Sequence, residues 1–137
     1  MYKDYVSVII TAKFVGLSGA ITGAHLHTGA PGVSGPVMQG LTAGVTGNSI
    51  SIEVDPTAYL SDLLSGNMYI NVHTTANPGG EIRGQILLET DYELNASLAG
   101  AQEKPPVPTT AYGLAVFNMY KDYVSVIITA KFVGLSS

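Results

Sequence analysis

The sequence holds 137 residues, enough to take roughly two thirds of its unfolded surface out of water and keep a core unaided, and too few for a second full domain. Only 12% of residues are charged and 46% are hydrophobic, with sixteen Gly, no Trp and no Cys. This excludes a disordered or coiled-coil chain and, with it, disulfides, thiolate metal sites and thiol nucleophiles. Six Lys and Arg against ten Asp and Glu give a net charge of −4 without any basic cluster, so nucleic acid is not an expected partner. No apolar run reaches the roughly 20 residues of a membrane helix, so membrane insertion is not expected either.

The chain opens on a segment, MYKDYVSVIITAKFVGLS, that occupies residues 1–18 and recurs without a change at 119–136, an offset of 118 residues. Such identity marks an internal repeat. It reads as a window cut from an array of near-identical units, the other reading being a deliberate duplication. Met1 then corresponds to the internal Met119, and the lack of an apolar secretory stretch after it carries little information about destination. Within the segment Val6, Val8, Ile10, Ala12 and Phe14 alternate with Tyr5, Ser7, Ile9, Thr11 and Lys13, the period of a long, half-buried antiparallel strand.

Period-two runs continue at 21–28, 37–41, 49–54, 68–74, 81–89, 92–98 and 112–119, separated by turn residues such as Ala30-Pro31-Gly32, Gly35-Pro36, Gly47-Asn48 and Asn77-Pro78-Gly79-Gly80. One segment departs from the pattern. Asp55 can cap a helix, Pro56 suits its first position, Tyr59, Leu60, Leu63 and Leu64 recur at helical spacing, and Gly66 can end it. Between Ala101 and Thr110, Pro105, Pro106 and Pro108 deny ladder donors and favour an extended loop. About eight short strands with one short helix predict an all-β Greek-key sandwich or barrel, with residues 1–137 as a single unit of period 118.

Three stretches carry a resemblance: GAQEKPPVPTTAYG at 100–113, GLSGAITGAHLHTGAPGVSGPV at 16–37 and YINVHTTANPGGEIRGQI at 69–86. Together they resemble the chordin-type, or CHRD, domain. In that family the Gln-Glu-x-Pro-Pro-Val motif opens the domain, whereas here it follows the other two, as in a circularly shifted cut from a tandem array. The resemblance implies an extracellular or cell-surface setting.

His25 and His27 lie two apart on a predicted strand, so both imidazoles leave one face while Ala24 and Leu26 point to the core. His73 shares its strand face with Tyr69 and Asn71, opposite Ile70 and Val72. Neutral imidazoles on adjacent strands suit Cu(II), with Zn(II) as the runner-up. The competing reading makes the three histidines surface groups that hydrogen-bond to loop backbone and fix the Gly-rich turns. Glu81 follows His73 across a turn and is expected as an imidazole acceptor or an additional ligand, and Arg83 as the anchor of a loop carboxylate such as Glu103. The His-x-His strand on a Greek-key domain is similar to the copper-ligand strand of copper/zinc superoxide dismutase. That enzyme uses more histidines and a separate zinc cluster, so with three histidines dismutase activity is not expected here. No Gly-x-Ser-x-Gly elbow or comparable arrangement activates a nucleophile, and no enzyme is expected.

These features predict a structural repeat of an extracellular fibre or surface protein, joined head-to-tail to copies of itself through the duplicated strand and carrying a histidine copper site. The alternatives are a copper-binding metalloprotein and a protein-ligand-binding module as in chordin.

Overall fold

The computed structural model describes residues 5–90 and 92–121. The duplicated N-terminal segment forms β1 (Tyr5–Val15), followed by β2 (Ile21–Thr28), β3 (Val37–Gly40), β4 (Val45–Thr46) and β5 (Ser49–Val54). A short helix, α1 (Leu60–Leu64), leads to β6 (Met68–Thr74), β7 (Ile82–Gln85), β8 (Leu87–Thr90), β9 (Glu93–Ala99) and β10 (Tyr112–Lys121). The fold is all-β, as the alternation predicts.

The strands join in one antiparallel sheet in the order β3-β2-β6-β7-β9-β10-β1-β5-β4, with β8 added on β9, and the sheet curls into a half-barrel. Two connections cross it. β1 and β2 are consecutive in sequence yet separated by four strands, and β5 reaches β6 through α1. β1 itself lies inside the sheet, paired with β10 from Tyr5↔Lys121 to Val15↔Tyr112 and with β5 from Val8↔Val54 to Lys13↔Ser49.

The apolar row of β1 accounts for this placement. Val8, Ile10, Ala12 and Phe14 are buried with Ile50 of β5 and Ala115 and Phe117 of β10, while Lys13 and Thr11 face solvent. Burying a Val, Ile or Phe side chain stabilises the fold by about 1.5–3 kcal/mol, so the strand's inner face is a main contributor to the core. Met119, Tyr120 and Lys121 of the second copy finish β10, and the remainder of that copy, 122–136, lies outside the described residues.

Element limits differ from the sequence expectation in three places. The run 81–89 divides because Ile86, wholly buried, turns into the core and its N–H donates to the Met68 carbonyl at 3.0 Å, after which Leu87 and Leu88 are exposed on β8. The turn at Gly47-Asn48 carries an extra two-residue strand, β4, whose Val45 and Thr46 pair with Ile50 and Ser49. The helix begins as a 3-10 turn over Thr57–Tyr59 before α1, with Asp55 accepting from the Thr57 N–H at 2.9 Å and Gly66, at φ 79°, ending it.

Candidate metal centre

β2 and β6 are neighbours, and their register sets His25 opposite Asn71, His27 opposite Tyr69 and His73 opposite Gly23. The alternation buries Ala24, Leu26, Ile70 and Val72 on the inner face. It therefore sends all three imidazoles to the other face, with His73 two positions along the sheet from His25. The rings meet there: His25 and His73 have centroids 5.2 Å apart, and His25 and His27 are 5.9 Å apart. One ring nitrogen of each lies within 4.8 Å of the other two. All three residues are half-buried.

Backbone carbonyls orient two of the rings. His27 Nδ1 lies 2.9 Å from the Gly35 carbonyl and His73 Nδ1 lies 2.8 Å from the Pro78 carbonyl. A carbonyl only accepts, so Nδ1 carries the proton in each ring and Nε2 keeps its lone pair. This is the outer-shell arrangement that fixes a metal-binding tautomer. The backbone bonds of the competing reading are therefore present, yet they use one nitrogen of each ring and leave the other available. Among the described residues, His25 Nδ1, His27 Nε2 and His73 Nε2 are buried atoms without a hydrogen-bond partner. Three such atoms side by side cost about 1–3 kcal/mol each unless something fills the space between them.

A single ion fits. Nitrogens bonded tetrahedrally at about 2.0–2.1 Å stand roughly 3.3 Å from one another, so small ring rotations bring the observed set to ligand spacing. Three neutral imidazoles match Cu(II) and Zn(II) chemically, and solvent or an anion completes the coordination. The electrostatics favour neutral rings: burial, then the neighbouring His73 and His27, lower the His25 pKa. Burial chiefly lowers that of His27, with His73 and Arg83 adding to it against the opposing Gly35 hydrogen bond.

Residues around the centre hold it in shape. Tyr69 stacks on His27 with centroids 4.8 Å apart and planes 5° from parallel, and the Arg83 guanidinium lies over the Tyr69 ring at 3.4 Å. His27 comes from β2 and Arg83 from β7, the two strands that flank β6, so the three side chains form a column across the sheet. Arg83 donates to the Val33 carbonyl at 2.8 Å and the Ala30 carbonyl at 3.4 Å, fastening the loop that also carries Gly35. The loop carboxylate expected as its partner is held differently: Asn71 Nδ2 donates to both Glu103 oxygens at 2.8 and 2.9 Å. Burial raises the Glu103 pKa against the Asn71 hydrogen bond and the Arg83 charge.

Glu81 is fully buried, and its oxygens accept from the Ser18 N–H and hydroxyl and from the hydroxyls of Thr74 and Thr109. The cluster of ligand atoms within 4.8 Å consists of His25, His27 and His73 without it. Tyr69 was readable as sharing the strand face of His73, whereas Ser18, Thr74 and Thr109 were not readable as parts of this region. The signal for Tyr69 was the period-two alternation of 68–74, and its place opposite His27 comes from the pairing of β2 with β6.

A family model for the CHRD domain matches residues 3–86, more than half of the chain, and the protein belongs to that family. The stretch at 100–113 lies outside the matched residues. No curated protein and no solved structure matches the chain. CHRD domains are typically found in secreted proteins, and among the described residues no helix is long and apolar enough to cross a membrane.

Proposed function

We propose that this CHRD module is a structural repeat of an extracellular fibre or surface protein, joined head-to-tail to copies of itself by strand sharing. The observation that carries this reading is the position of β1. One copy of the duplicated strand completes the sheet between β10 and β5, and a second copy, with Val126, Ile128, Ala130 and Phe132 in the same alternation, follows β10. An apolar strand without a sheet invites pairing with another unit. In an array the second copy is the first strand of the next unit. The test is sedimentation and electron microscopy of the full chain against a chain ending at Asp122. Linear particles that vanish with the shortened chain support the reading, and a strictly monomeric full chain at high concentration overturns it.

A second reading is favoured by the three unpartnered imidazole nitrogens: the module carries a Cu(II) ion, or Zn(II) as the runner-up, in a binding rather than an enzymatic role. Metal analysis of the purified protein tests it. A stoichiometric ion lost on joint His25→Ala and His27→Ala substitution supports it, and no uptake of added Cu(II) or Zn(II) sinks it.

A further inference from the structure

The place of β1 in the sheet has one occupant, whereas the sequence contains two identical candidates for it. Shifting each pair by 118 residues sets the second copy against β10 in the same register: Ser7↔Tyr120 becomes Ser125↔Tyr120, Ile10↔Phe117 becomes Ile128↔Phe117, and Val15↔Tyr112 becomes Val133↔Tyr112. To take this register the second copy would have to form a hairpin with β10. Its first pair, Ser125↔Tyr120, closes a loop of four residues, Lys121 to Val124, a common hairpin length. Only the outermost pair, Tyr5↔Lys121, has no equivalent, because Tyr123 would leave a single residue for the turn.

The fit extends past the strand. Gly16 leaves β1 at φ 77°, and Ser18 then closes on the buried Glu81 carboxylate through its N–H and hydroxyl. The second copy repeats both, as Gly134 and Ser136. Gly113, whose missing side chain makes room for the Phe14 ring, would make the same room for Phe132 in that register. Each inward-facing residue of 7–18 thus has an identical counterpart at 125–136, and the two seatings differ in which connection is covalent, in the outermost pair Tyr5↔Lys121 and in the residue that follows, Gly19 in the first and Ser137 in the second.

We infer that the chain folds in two interchangeable frames: residues 7–18 fill the position between β10 and β5 in one, and residues 125–136 of the same chain fill it in the other. Each frame releases the copy that the other seats. This deepens the strand-sharing reading, because a joint between copies then forms by exchange at an occupied position rather than by addition to an empty one. It is nonetheless a property of a single chain and is tested at a dilution where no assembly occurs.

Ile10, wholly buried in β1, and its counterpart Ile128 supply the test. In the full chain, Ile10→Asp bars the first frame and Ile128→Asp bars the second. Each single variant is expected to remain a folded monomer whose thermal midpoint drops by only a few degrees, and the double variant to lose its cooperative transition. An Ile10→Asp variant as unfolded as the double one overturns the inference. So does one that folds only as an oligomer, which leaves strand sharing between chains standing. A second measurement needs no destabilising change. Lys13 and Leu114 are paired and exposed, Lys131 is the counterpart of Lys13, and the chain has no cysteine. Cysteine pairs at 13 and 114 and at 114 and 131 should both close into intramolecular disulfides, and closure of the first alone overturns the two-frame inference.

Discussion

Ser18 and Glu81, sixty-three residues apart, are joined by three hydrogen bonds: the Ser18 N–H reaches both carboxylate oxygens at 3.0 and 3.1 Å, and its hydroxyl reaches Oε2 at 2.8 Å. Thr74 and Thr109 add donors at 2.8 and 2.6 Å. One buried carboxylate thereby ties the link between β1 and β2 to the end of β6 and to the loop before β10. Burial alone would push its pKa up, but these hydrogen bonds outweigh that and hold it at about 2, against an ordinary 4.5.

Acid stability should follow from this carboxylate. Its folded-state pKa lies below the unfolded value, so its contribution is complete above pH 4.5 and is lost as pH falls from there towards 2. Glu81→Ala leaves the donors of Ser18, Thr74 and Thr109 unpaired and should cost about 2–4 kcal/mol at neutral pH. Glu81→Gln keeps the shape without the charge. Its thermal midpoint should fall less between pH 5 and pH 3 than that of the unaltered protein, and an equal fall would assign the acid sensitivity elsewhere.

The histidine cluster should respond on a different limb. Both His25 and His27 have pKa values below the ordinary 6.5, so the unfolded chain binds protons before the folded one and metal-free stability declines as pH drops below 6.5. Cu(II) must compete with the same protons, and its affinity should fall roughly ten- to hundredfold between pH 7.5 and 5.5. Titration calorimetry at the two pH values measures this. A pH-independent affinity would mean that imidazoles are not the ligands.

The column Arg83–Tyr69–His27 makes a third expectation. Arg83 holds the 29–36 loop by the Val33 and Ala30 carbonyls, and Gly35 in that loop orients His27 through its carbonyl and donates its N–H to the Tyr69 hydroxyl. Arg83→Ala should cost about 1–3 kcal/mol and speed amide exchange through residues 30–35, and Arg83→Lys should recover little, since an ammonium lacks the planar fork that stacks on Tyr69. Exchange rates unchanged by both substitutions would show that the loop is fastened by other groups.

Much of this architecture is legible in the alternation of the chain. Val8, Ile10, Ala12 and Phe14 announce an inner face, and the pairs His25/His27 and Ile70/Val72 announce which side each strand turns outward, so the convergence of the three histidines needs only the adjacency of β2 and β6. That adjacency is not local information: β3, β4, β5 and α1 intervene in sequence, and the crossing connection is a property of the assembled sheet. Glu81 shows the same limit from the other direction. Its place just after the turn that leaves His73 reads as an imidazole acceptor or a ligand, because nothing near it in sequence reveals that Ser18 and Thr109 arrive from distant segments to satisfy it. Arg83 likewise looks like a carboxylate anchor until the loop carbonyls are seen to occupy it.

The closest packing next to the duplicated strand is at Gly113, opposite Phe14 in the β1–β10 pair. A Cβ built there would run into Phe14 Cδ1 and would stand 3.0 Å from both Phe14 Cε1 and the Lys13 carbonyl oxygen. The ring can tilt but the backbone oxygen cannot, so Gly113→Ala should destabilise the protein by about 1–3 kcal/mol through overpacking. Shrinking the ring relieves the first clash and not the second. Because Phe132 repeats Phe14, Phe→Leu is made at both positions. The combined variant should then be more stable than the sum of its parts by about 0.5–1.5 kcal/mol, the coupling expected of side chains in direct contact. Denaturant unfolding of the four proteins of the cycle measures this term, and strict additivity would mean that the Phe14 ring is not what the glycine at 113 accommodates.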